Sequence, residues 1–124
     1  SLSAPEARLI EERGLPLWQA SDLAARERAG DRAWIAEVVD ALGDEVYVTV
    51  DIDVFDPSLV PGTGTPEPGG LDWYAVVDLL AAVAASKRII GADVVEVSPL
   101  VEGHVSPVVA AKLAYRLLGL ALTP

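Results

Sequence analysis

The chain has 124 residues, 19 acidic and 9 basic, and a formal net charge of −10. That is one domain's worth of sequence, residues 1–124, and its acidic balance excludes a protein that binds nucleic acid through phosphates, which needs a basic surface. No cysteine occurs, so a disulfide framework and a thiolate metal site are both excluded, a usage that fits a cytoplasmic protein.

The opening SLSAPEARLIEERG lacks the basic-then-apolar order of a signal peptide. The longest apolar run in the central helix, Leu79 to Ala85, falls far short of the ~20 residues that span a bilayer. No membrane association is therefore expected. An acidic cleft would concentrate cations, so a cationic substrate is compatible with the charge, although solubility alone is the plainer reading.

In chain order, Ser3-Ala4-Pro5-Glu6 reads as a capping box with proline in the first helical turn, and Gly14 as the stop. Leu15, Leu17 and Trp18 suggest a short strand, at an edge because of Pro16. LAARERAGD reads as an exposed helix or loop. Asp31 caps a helix whose apolar positions are Ile35, Val38, Val39 and Leu42, with Gly43 ending it and Trp34 packing.

Val46 to Val50 is an apolar strand. Asp72 caps the next helix, with Trp73, Val76, Val77, Leu80, Val83 and Ala84 on one face; Trp73 and Tyr74 read as packing residues. Ile89 to Val97 is a second buried strand, broken by Ser98-Pro99. Ser106-Pro107 opens a last helix with Val109, Leu113, Leu117 and Leu120 along one side. Apolar strands alternating with amphipathic helices predict an α/β fold: a parallel sheet covered on both faces, with ligands gathering at the carboxyl ends of the strands.

The chemistry concentrates in VYVTVDIDVFDPSLVPGTGTPEPGGL, beginning at Val46. Side chains alternate along a strand, so Asp51 and Asp53 are expected to point to the same side. Two adjacent carboxylates repel unless a cation sits between them, and hard oxygen donors suit Mn²⁺, Mg²⁺ or Ca²⁺. Taken alone, the pair is a metal site about half the time and otherwise an Asx-turn or a strand-end cap. An EF-hand fails, because Ile52 and Val54 are apolar and no glutamate falls at loop spacing. The proline- and glycine-rich run that follows reads as a shaped site loop. Glu96 ends the second strand, and alone would read as an acid reaching solvent. Asp56 reads as a turn residue, and Asp93, inside a strand, as an acid that supports a metal ligand or bonds the backbone and is not itself a ligand. GTGTPEPGG is no phosphate cradle, and His104 is a loop residue.

The run DIDVFDPSLVPGTGTPEPGGL resembles the signature of the ureohydrolases, the arginase and agmatinase family. DVVEVSP (93–99) and SPVVAAKLAYRLLG, near the end, strengthen the resemblance, on the agmatinase side. The resemblance implies a three-layer α/β/α fold with a mainly parallel sheet, and two Mn²⁺ ions per active site. It further implies hydrolysis of the C–N bond of a linear guanidino compound to urea and an amine. Asp51 and Asp53 would be metal ligands, Glu96 would pair with the guanidinium, and Thr65 would sit beside it in the substrate site; no residue is assigned as catalytic. Homo-oligomers, trimers or hexamers, are implied in the same way.

Two departures stand out. Thr49 occupies the place of the family's usual serine, keeping the hydroxyl. The family's other metal ligands, a histidine and an Asp-x-His-x-Asp group on upstream strands, have no counterpart, since the one histidine is His104. The chain is therefore expected to be the C-terminal part of a ureohydrolase, inactive as it stands. The alternatives are arginase, guanidinobutyrase or formiminoglutamase chemistry, or a non-catalytic truncated interaction module that leaves a strand edge and apolar helix surface open.

Overall fold

The computed structural model describes residues 2–99 and 103–122. Among the described residues, five helices flank a two-stranded parallel sheet: α1 (Ala4–Arg13), α2 (Ala20–Arg28), α3 (Trp34–Asp40), β1 (Glu45–Asp51), α4 (Trp73–Ser86), β2 (Arg88–Val95) and α5 (Val105–Leu122). α1 starts where its capping box dictates. The Ser3 side chain accepts from the Glu6 N–H, the Glu6 carboxylate accepts from the Ser3 N–H at 2.7 Å, and Gly14 closes the helix at φ 58°. No residue of α1 is buried.

The expected strand at Leu15–Trp18 does not form. Pro16 removes a donor, and neither strand of the sheet lies beside the segment to pair with it. The LAARER stretch is helical, as α2, and is tied to α3 through Arg26, which bonds Asp31 and Glu37 at 2.7 Å each. Trp34 is fully buried and donates to Glu27 at 2.7 Å, a packing role as expected. α3 ends at Asp40, before Gly43, because its last turn closes on Ala41. α4 begins at Asp72, whose carboxylate accepts from the Ala75 N–H at 2.7 Å, and buries Ala75, Val76, Val77, Leu80 and Val83. Trp73 stacks on Phe55 with ring centroids 6.0 Å apart, but Tyr74 is exposed, contrary to expectation.

Residues pair across the sheet as Tyr47↔Gly91, Thr49↔Asp93 and Asp51↔Val95. Val46, Val48 and Val50 face the core together with α4 residues, and Leu113 and Leu117 of α5 complete it. The opposite face, with Tyr47, Thr49, Asp51 and Val95, is exposed. Among the described residues, the expected covering of the sheet is seen on one face only, the valine face on which α4 and α5 pack.

α5 is, by length and composition, apolar enough to cross a membrane. Ser106, Ala110, Leu113 and Leu117 nevertheless pack into the core, on the spacing the sequence predicts, while Val108, Tyr115, Leu118 and Leu122 are exposed.

Candidate active site

The site lies where β1 and β2 end. β1 stops at Asp51, and Ile52–Val54 forms a 3₁₀ turn rather than more strand. Strand alternation therefore does not align the two aspartates. The turn does so instead: Ile52 drops into the core, fully buried, and Asp51 caps the turn by accepting from the Asp53 N–H at 3.2 Å. Asp51 and Asp53 are thus brought together, through a capping turn that the strand pattern did not foresee.

Asp53 is held from its other side by the Thr65 hydroxyl, which donates to its carboxylate at 2.8 Å. Thr65 was expected beside Glu96; its hydrogen bond goes to Asp53. β2 ends one residue before Glu96, two residues earlier than predicted, because Glu96 adopts a left-handed backbone at φ 64°. Such a conformation is uncommon for a side chain other than glycine or asparagine. It turns the chain off the sheet, and Val97 instead makes an isolated antiparallel bridge to Thr63.

The three acids share an electrostatic environment. Partial burial of its carboxylate raises Asp51 above the ordinary aspartate range; the Asp53 N–H pulls it back, and the negative charges of Asp53 and then Glu96 push it up again. Crowding of this kind is what a bound cation relieves.

The loop between the turn and α4 is tightly shaped. Asp56 accepts from the Ser58 and Gly69 N–H groups at 3.0 and 2.9 Å; the Ser58 side chain first, and then these two bonds, lower its carboxyl below the usual range. It is the turn residue that the sequence indicates. Leu71 N–H donates to Val54 at 2.8 Å, and Asp56 N–H to Leu71 at 3.1 Å. Gly70 lies so close to this pairing that a Cβ there would meet Phe55 and Asp56 backbone atoms at 2.5 Å. Farther along, the buried Ser106 hydroxyl accepts from the Gly62 N–H at 2.8 Å and pins the loop to α5. His104 is exposed.

The donors present are hard oxygens, the chemistry manganese takes. Among the described residues, no three histidine, cysteine, aspartate or glutamate side chains gather closely enough to hold a metal ion. The set is right in kind and short in number.

Sequence reasoning missed Tyr47. Its hydroxyl donates to Asp93 at 2.7 Å, beside a 2.6 Å bond from Thr49 to the other carboxylate oxygen. Alternation along β1 puts Tyr47, Thr49 and Asp51 on one face, which was the available signal. The pairing register that brings Asp93 opposite Thr49 was not readable.

Known proteins match this chain along most of its length. It is 41% identical over 115 residues to the N(1)-aminopropylagmatine ureohydrolase of Synechocystis, covering 92% of this chain and 36% of that protein. It is 42% identical over 85 residues to an agmatinase of Pyrococcus horikoshii, covering 68% and 30%. Among solved structures, the arginase of Bacillus caldovelox superposes with a TM-score of 0.82 at 30% identity, over 99% of this chain and 42% of that one. The proclavaminate amidino hydrolase of Streptomyces clavuligerus gives 0.80 at 35%, over 98% and 38%. The chain thus spans about two-fifths or less of the proteins it matches, and its fold is part of the arginase α/β fold. Residues 1–119 match the model of the Arginase family, and the chain belongs to that family.

Proposed function

We propose that this chain is the C-terminal part of a manganese-dependent ureohydrolase that cleaves a linear guanidino compound, agmatine or a close relative, to urea and an amine. The observation that carries the reading is the convergence of Asp51, Asp53 and Glu96 at the carboxyl ends of two adjacent parallel strands, close enough for their charges to interact. Names of relatives on the agmatinase side point the same way.

Asp51 and Asp53 would hold the two metal ions, with the remaining ligands supplied by sequence outside these residues. Manganese, when bound, supplies the Lewis acid that makes water nucleophilic at neutral pH. The chain's own groups do the rest. Thr65 fixes the Asp53 carboxylate through its hydroxyl. Glu96, set off the sheet by its left-handed backbone, offers two oxygens to the fork of a guanidinium, a charge-assisted pairing that orients the planar group. The local excess of carboxylates favours a substrate that is cationic at both ends over one carrying a carboxylate.

The test is urea release by the longest product of the reading frame containing this chain, purified with Mn²⁺. Agmatine, N(1)-aminopropylagmatine, arginine, guanidinobutyrate and formiminoglutamate are offered in parallel, with formamide rather than urea followed for the last. The reading predicts turnover of a guanidino amine and none by residues 1–124 alone. Turnover of none of the five by a product that binds manganese contradicts it. A second reading, a non-catalytic module that packs on a partner chain, is favoured by the uncovered sheet face and the exposed leucines of α1 and α5. It predicts no urea from any product and capture of a second chain by this surface.

A further inference from the structure

We infer that Asp93, gripped by Thr49 and Tyr47, is a positioning residue that locks the register of β1 against β2 where Asp51 and Glu96 leave the sheet. The inference rests on the reading of those two acids as site residues. Both Asp93 oxygens are engaged by hydroxyl donors on the neighbouring strand, Oδ1 by Thr49 at 2.6 Å and Oδ2 by Tyr47 at 2.7 Å. Thr49 stands directly opposite Asp93 in the ladder and two residues before Asp51 on the same face. Asp93 stands three residues before Glu96. The brace therefore touches both strands just short of the site.

Tyr47 is built to reach it. Its cross-strand partner is Gly91, and a Cβ there would meet the tyrosine ring at 2.7 and 2.8 Å. The Cδ2–Cε2 edge of the ring occupies the space a side chain at Gly91 would need, and this lets the hydroxyl reach the residue two farther along β2. A register irregularity between Val46 and Tyr47 sits immediately before the brace, so pairing beyond that point needs its own anchor. The two bonds favour the ionised carboxylate, drawing Asp93 below the usual range and raising Tyr47.

Hydrogen bonds on an exposed face add little to global stability, since water competes for the same groups. What they fix is direction. A one-residue slip would turn Asp51 to the other face of the sheet and carry Glu96 away from it.

The experiment compares wild type with Asp93→Asn, Thr49→Val and Thr49→Ser in the longest product containing this chain. Amide hydrogen exchange is read on peptides covering residues 49–55, 93–98 and, as a reference, 34–41. Asparagine offers one acceptor where two donors point, and valine removes a hydroxyl at constant shape. The expected result is exchange faster on the order of tenfold in the first two peptides, unchanged in the reference, with serine behaving as threonine. Exchange that rises equally in all peptides, or in none, overturns the inference. Urea release then separates it from the functional reading. Local loosening with a fall in kcat/KM supports both; local loosening with unchanged kinetics in an active enzyme overturns the positioning role. Local loosening in a product whose wild type makes no urea leaves the brace standing and removes the ureohydrolase reading.

Discussion

Replacing Gly70 by alanine perturbs the site loop at its tightest point. An added Cβ would lie 2.5 Å from the Asp56 nitrogen and the Phe55 carbonyl carbon, and 2.8 Å from the Phe55 oxygen. Ordinary contact begins nearly an ångström farther out, and the opposing atoms are backbone, which cannot swing aside. The loop strand must therefore move by about 1 Å. That shift breaks or badly stretches the Leu71–Val54 and Asp56–Leu71 hydrogen bonds, now 2.8 and 3.1 Å. At about 0.5–1.5 kcal/mol each they account for about 1–3 kcal/mol. Loosened packing of the buried Phe55 and Leu71 adds to this, so a total of about 2–4 kcal/mol is expected. Gly64→Ala is the control, because nothing lies within 4 Å of its Cβ, and it should cost less than about 0.5 kcal/mol. Urea unfolding followed by tryptophan fluorescence reads both, Trp73 on Phe55 being the local reporter. Equal stability of the two variants would refute the account of the loop.

Ser106→Ala leaves the Gly62 N–H buried without its acceptor and should cost about 1–3 kcal/mol in the same assay; a neutral result would mean that the loop is not pinned there. Thr63→Val should be neutral or stabilising by about 1 kcal/mol, because the Thr63 hydroxyl is buried with no partner among the described residues; a loss above about 1 kcal/mol would reveal one. Asp93 is held below its ordinary value by Thr49 and then Tyr47. Its folded pKa is the lower one, so its contribution is complete above the unfolded value and fades as pH falls through the folded one. Because the bonds lie on an exposed face, Asp93→Asn should flatten the decline in stability below about pH 4 only slightly, and a decline made steeper would contradict the bonds.

The sequence carried the helices α1, α4 and α5 because each is specified locally: a capping box at Ser3, an aspartate cap at Asp72, an apolar stripe through Leu113 and Leu117. It carried β1 because an apolar run ending in Asp51 has few other uses. It overreached at Leu15–Trp18, where strand character in the residues met no strand to pair with. It placed Asp51 and Asp53 together for a reason that does not hold, since a capping turn does what alternation was expected to do. Glu96 was read as the end of a strand that in fact stops before it, a difference set by one left-handed residue that no propensity foretells. Nor could the Tyr47–Asp93 contact be read, because it depends on register between residues 46 apart in the chain. Residue type and order thus sufficed for the family's signature, while the geometry of the site depended on turns and pairing.

The central claim is that Asp51 and Asp53 hold manganese. The measurement that bears on it most directly is the metal content, by mass spectrometry, of the longest product containing this chain, as wild type and as Asp51→Asn, Asp53→Asn and Glu96→Gln. The account predicts two Mn²⁺ per wild-type chain, a marked loss of metal in either aspartate variant, and full metal content with lost urea release in Glu96→Gln. Manganese retained undiminished in both aspartate variants would contradict it.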